Sequence, residues 1–284
     1  NTASAENASA FGYVNEASGL ASSALGFRNK AANENASAVG YGNNAGGVAS
    51  SAFGFSNVAK VDYASAFGYS NEASGLASSA VGFRNKAASE NASAVGYGNN
   101  ANALAASAVG YNNTAGGVGS STIGYNNTAT NENASAFGYG NTAGGLASSA
   151  FGFSNTASGD NANAFGYNNI ASGSKSNVFG TGNTVSGSSS NAVGTANEVA
   201  AENSTAIGNN NTISSGAENS AALGNNISIS LKDSVALGNN STATAINSVT
   251  GNSSYTKWAG VSDVVGVVSV GSSGATRQIQ NVAA

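Results

Sequence analysis

The 284-residue chain contains no cysteine, proline, methionine or histidine, and only 8% of its residues are charged. Without histidine or cysteine it has no ordinary general base, thiol nucleophile or soft metal ligand. Its carboxylates are spread along the sequence rather than gathered as a catalytic pair would be, so no enzyme, no metal site and no cofactor are expected. The regular aspartates of calcium-binding nonapeptide repeats are missing as well. Lack of proline leaves every backbone N–H free to donate to a neighbouring strand. Lack of cysteine fits an exported chain held by a backbone ladder instead of disulfides. A net charge of −4 gives no electrostatic footprint for nucleic acid or an anionic membrane. There is no apolar run of about eighteen residues and no signal segment. With no methionine, the chain reads as a piece of a longer one, its export signal and anchor lying elsewhere.

What is present is a strict repeat. A glycine recurs every fourteen residues from Gly12 through Gly26, Gly40 and Gly54 to Gly208, preceded by a large apolar residue and followed three positions later by asparagine, from Asn15 to Asn211. Gly224 and Gly238 keep the preceding leucine and lose the asparagine. A repeat this short cannot hold a helix pair, so it predicts one turn of an all-β, parallel β-solenoid. At about 4.8 Å per coil, the seventeen glycine-marked coils would stack into a rod on the order of 80 Å long.

Within one coil, Ser9-Ala10-Phe11-Gly12-Tyr13 alternates as a short strand, with alanine and glycine on one face and phenylalanine on the other. The asparagine is expected at a turn, in the left-handed region, with its amide bonded along the stack. A second inward strand is expected at Ala17, Ala31, Ala45 and Ala59. So thin a coil buries little apolar surface, and self-association is the natural remedy. The column Ala10, Ala24, Ala38, Ala52, Ala66, Ala80 and Ala94 is expected at a subunit contact; the competing reading has these alanines filling the coil interior.

Tyr13, Phe27, Tyr41, Phe55, Tyr69, Phe83 and Tyr97 form a column that is read either as a ligand surface or as rings packed on one another. Arg28 and Arg84, with Lys30 and Lys86, make two basic spots that either join that surface or pair with Glu16 and Glu72 one coil earlier. Thr114, Thr128, Thr142 and Thr156 are expected to form a hydroxyl ladder. Six residues before the glycine, Glu6, Glu34, Asp62 and Glu90 alternate with Leu20, Val48, Leu76 and Leu104, which spaces like charges apart. Residues 64–101 nearly copy residues 8–45, as duplication of coil blocks would leave them.

After Gly238 the repeat stops, and the tail reads Val-Ser-Val-Gly at 268–271, Arg-Gln-Ile at 277–279 and Asn-Val-Ala-Ala at 281–284. This tail resembles the neck of trimeric autotransporter adhesins, and Ser204-Thr205-Ala206-Ile207-Gly208 resembles the repeat core of their YadA-like heads. The resemblance implies a homotrimer of left-handed parallel β-rolls on a Gram-negative cell surface, with Val268, Gly271, Arg277, Ile279 and Asn281 as neck residues. It divides the chain into a head at 1–242, a short insertion at 243–265 that Trp258 helps pack, and a neck at 266–284 leading to a coiled-coil stalk. The implied partners are host matrix proteins of the fibronectin, laminin or collagen class, or abiotic surfaces. The alternative is a self-associating spacer without a receptor. Neither reading involves nucleic acid or membrane contact by this part of the chain.

Overall fold

The structure is a computed structural model that describes residues 1–245 and 265–280. The chain forms two compact units, Asn1–Phe153 and Ser154–Ala284. Each is a parallel β-solenoid, and among the described residues there is no helix. Every coil contributes one long strand, such as Ser65–Tyr69, and one short strand, such as Glu72–Ala73. Long strands pair in parallel with the same strand of the next coil, Ser65 opposite Ser79 and Gly68 opposite Gly82. Short strands do likewise, Glu72 opposite Lys86. The fourteen-residue period is thus one circuit of the backbone, and the expected second strand is present.

The interior is alanine. In the first unit Ala24, Ala38, Ala52, Ala66, Ala80 and Ala94 are fully or almost fully buried within the single chain, facing Ala31, Ala45, Ala59 and their successors from the short strands. Ala10, in the outermost long strand, packs against the same cluster. This corrects the subunit-contact assignment: a methyl group that fills its own coil cannot be offered to a second chain. In the second unit the interior takes larger residues, Val178, Val185, Val199, Ile213, Ile227 and Ile229.

A buried methyl contributes only about 0.8 kcal/mol, so alanines alone do not hold such a coil. The buried asparagines supply the rest. Asn71 Nδ2 donates to Asn57 Oδ1 at 3.0 Å, to Phe67 O at 2.9 Å and to Gly82 O at 2.6 Å, sharing its two hydrogens among three acceptors. Its own Oδ1 receives both the backbone N–H and the amide of Asn85, each at 3.0 Å. The ladder runs coil by coil through the first unit, and in the second from Asn155 through Asn169, Asn183 and Asn197 to Asn211, where the N–H of Ile227 closes it at 3.0 Å.

The stacking role expected of asparagine is therefore present, but the left-handed residue is its predecessor: Arg28, Ser56, Ser70 and Arg84 have φ of 51 to 55° while the ladder asparagines are buried inside the coil. A second left-handed residue per coil lies in the opposite turn, at Asn35, Ala49 and Ala77 among others.

The repeated glycine is fixed by the same geometry. Gly68 has φ +117°, and a Cβ there would lie 2.1 Å from Gly82 O, the carbonyl that receives the Asn71 amide. The close approach that small residues were expected to permit is made by the next coil of the same chain. Gly98, by contrast, sits at φ +62° in the left-handed turn, where a Cβ would come no closer than 3.8 Å to its nearest neighbour, Asn112 Oδ1.

These contacts set two expectations. Asn71→Ala removes the acceptor of the Asn85 N–H and one donor from each of the Phe67 and Gly82 carbonyls, at about 1–3 kcal/mol for a buried group left unsatisfied; hydrogen exchange should quicken in the flanking coils while distant coils keep their protection. Gly68→Ala should disrupt its coil, whereas Gly98→Asn, a residue suited to that turn, should leave the thermal unfolding midpoint within a degree or two.

Candidate adhesive surface and neck

Along each long strand the alternation places Phe67 and Tyr69 outward, on either side of Gly68, while Ala66 is buried in the coil. Repeated coil by coil, this gives the outer face of the first unit two parallel apolar columns. One holds the residue before the glycine, including Leu25, Phe67, Val81, Val95, Val109 and Ile123; the other holds the aromatics after it. Both columns are about two-fifths exposed over most of their length.

The aromatic column is a continuous stack in the first unit. Tyr13 and Phe27 have ring centroids 5.1 Å apart, Tyr41 and Phe55 4.8 Å, and Phe83 and Tyr97 4.8 Å, with interplanar angles of 15° or less. These separations are the strand spacing itself. Each ring's faces are covered by its neighbours and its edge meets solvent: Tyr13, Phe27, Tyr41, Phe55, Tyr69, Phe83 and Tyr97 pack on one another, as the second sequence reading had it, and line the surface with their edges. Arg28 and Arg84 are drawn to the column, their guanidinium carbons 5.2 and 5.1 Å from the Phe27 and Phe83 ring centroids.

Among the expected ion pairs, Lys30 Nζ and Glu16 meet at 3.2 Å with both side chains about half exposed, which makes the pair a minor contributor. Glu72 and Lys86 share the register without closing to that distance. Thr114, Thr128 and Thr142 stack in register. Among the described residues no three acidic side chains gather as a metal site, and no helix is long and apolar enough to cross a membrane.

The aromatic column ends with Tyr167: in the following coils its position is held by Thr181, Thr195, Asn209 and Asn225. Asn209 donates from Nδ2 to Asn225 Oδ1 at 2.7 Å, replacing ring stacking with an exposed amide ladder. The column before the glycine stays apolar through Phe179, Val193, Ile207, Leu223 and Leu237. The apolar residue before each glycine was legible in the sequence as far as Leu237, but a surface role was expected only of the aromatics.

At the tail, Val268–Ser269 adds in parallel to Val235–Leu237, with Val235 opposite Val268. The N–H of Val235 donates to Val267 O at 2.8 Å, and that of Thr242 to Gly271 O at 2.9 Å. The segment thus serves as one more coil. Gly271 permits the tight bend that follows, since a Cβ there would lie 2.5 Å from Ala275 O. Arg277 folds back over it: Nη1 donates to Val270 O at 2.8 Å and to Ser241 Oγ at 3.2 Å, and Nη2 donates to Asn239 O. Gly238 leaves room for the guanidinium, which would lie 3.2 Å from a Cβ at that position. Val268 and Ile279 are 73% and 66% exposed. Asn281, Trp258 and most of the expected insertion lie outside the described residues.

Parallel coils with a fourteen-residue register, a buried asparagine ladder and a folded-back tail define a repetitive β-solenoid module. The sequence matches the YadA head domain repeat over residues 17–43, 45–71, 73–99, 115–141, 143–169, 186–211 and 232–249, well over half of the chain. The chain belongs to that family, whose members are heads of trimeric autotransporter adhesins exposed at the bacterial outer membrane. No curated protein sequence matches it.

If Arg277 clamps the tail, Arg277→Ala should free the added strand. Hydrogen exchange at the N–H groups of Val235 and Thr242 should then rise several-fold, while that at Ser65 and Ser79 stays unchanged.

Proposed function

We propose that the chain is the head and neck of a homotrimeric surface adhesin, attaching its cell to host matrix proteins of the fibronectin, laminin or collagen class or to abiotic surfaces, and promoting autoaggregation. Head residues 1–242, an insertion at 243–265 and a neck at 266–284 form its organisation. The supporting observation is the outward face of the long strands. A soluble monomer rarely carries apolar columns this extended, and an interior of alanine leaves each coil short of buried surface. Two further copies of the chain supply the missing cover.

The face that meets them is the column before the glycine, because it alone stays apolar as far as the neck, where Val268 and Ile279 await similar cover. Stacked copies of one weak contact, tripled by symmetry, raise avidity well beyond single-site affinity. The aromatic edges, with Arg28 and Arg84, form the surface offered to partners.

Replacing Phe67, Val81 and Val95 together by lysine puts charges on the outward side and leaves the alanine interior untouched. Light scattering should show a three-chain mass for the parent and a one-chain mass for the variant at low micromolar concentration; an unchanged mass would place the subunit contact elsewhere. In a solid-phase assay, the parent should bind at least one of immobilised fibronectin, laminin and collagen. Flat responses with aggregation retained would make the chain a spacer and self-association module.

A further inference from the structure

One turn carries an aromatic residue in its left-handed position. In the turn that leads from each short strand to the next long strand, the left-handed position is held mostly by small residues or asparagine, such as Asn7, Ala21, Asn35, Ala49, Ala77, Asn91 and Ala105, in later coils also by Lys175 and Asp233, and in one coil by Tyr63 at φ 60°. Tyr63 is the only aromatic with positive φ among the described residues. That backbone region is disfavoured for bulky side chains, and rule-breaking residues of this kind gather at binding sites.

Its surroundings differ from those of the stacked rings. The residues one coil before and after are Ala49 and Ala77, tied in register by Tyr63 N–H to Val48 O at 2.9 Å and Ala77 N–H to Asp62 O at 3.0 Å. Two methyl groups cannot cover an aromatic face, and Tyr63 is 61% exposed. The neighbours carry complementary polar groups. Lys60 is exposed, and Asp62 is exposed with one carboxylate oxygen receiving the Val48 N–H at 2.8 Å while the other is available. The run Lys60-Val61-Asp62-Tyr63 occurs once in the sequence, so it marks a unique spot on a repetitive surface. It lies on a turn, off the outward face of the long strands.

We propose that Tyr63, Asp62 and Lys60 form a contact site for a neutral sugar ring. The apolar C–H face of a pyranose lies on the open face of Tyr63, Asp62 accepts from its hydroxyls and Lys60 donates to them. A flat ring without a pocket suits a sugar unit within a longer glycan better than a buried small molecule. Opposite charges side by side favour an uncharged ring over an anionic one. The inference rests on the adhesin reading and deepens it by naming the chemistry of one partner.

The intact chain is applied to a printed array of neutral, sialylated and sulfated oligosaccharides, and the strongest neutral ligand is titrated in solution. Tyr63→Asn and Tyr63→Ala place residues already used by sister coils at this position, so both should fold, with an equal or higher unfolding midpoint. They should weaken binding by about tenfold or more, as loss of a central aromatic anchor does, while Tyr63→Trp keeps it. No neutral glycan bound, or binding unchanged in Tyr63→Asn, overturns the site. So does equal binding to an enzymatically deglycosylated glycoprotein. Attachment to immobilised matrix proteins by a parent chain that binds no neutral glycan would sink the sugar site and leave the adhesin reading standing; a parent chain that binds neither would remove both.

Discussion

The structure depends on one repeated exchange: a buried asparagine amide gives its hydrogens to a glycine carbonyl in the next coil and to the asparagine of the coil before. Everything else is arranged around it. The glycine must lack a side chain because a Cβ on it would run into the carbonyl of the glycine in the next coil. The residue before the asparagine must turn left-handed so that the amide points inward. The interior must be narrow, and alanine fits it. A core of methyl groups would be a poor stabiliser alone, and the ladder turns what would be a costly buried polar column into a fully paired one.

The same narrowness explains where the large side chains go. In the alanine-lined coils of the first unit the phenylalanines, leucines and valines before the glycine stand outside, in columns at strand spacing. The inside of each coil is finished by its own chain, and the outside is left for something else. This is the reverse of an ordinary domain, where the bulkiest apolar residues face inward, and it fits a family whose heads are trimeric adhesins. The two outer columns also part company along the chain: rings give way to threonine and asparagine after Tyr167, while the column beside the glycine continues to the tail. Columns that differ in extent point to different tasks.

Much of this was legible in the sequence because a strict period converts one local pattern into a whole fold. The fourteen-residue spacing gave the coil, Ser-Ala-Phe-Gly-Tyr gave the long strand, and the invariant asparagine gave the ladder. Two features were not legible. Residues as different as Arg28, Ser56 and Arg84 hold the left-handed position, so composition does not mark it; the backbone demands it there because the asparagine beyond must point inward. The facing of alanine could not be read either. A small residue beside a glycine suits a crowded coil and a subunit contact equally, and only the circuit of the backbone decides between them. Tyr63 is the opposite case, visible only once the regularity around it is known.

The hydrogen bonds that join coils run along the direction in which coils are stacked. Tension applied along that direction therefore loads the coils in series, and the weakest one opens first while the others stay closed. A fourteen-residue coil that opens releases about 45–50 Å of slack when extended, so a tether built this way lengthens in small steps under load instead of failing at once.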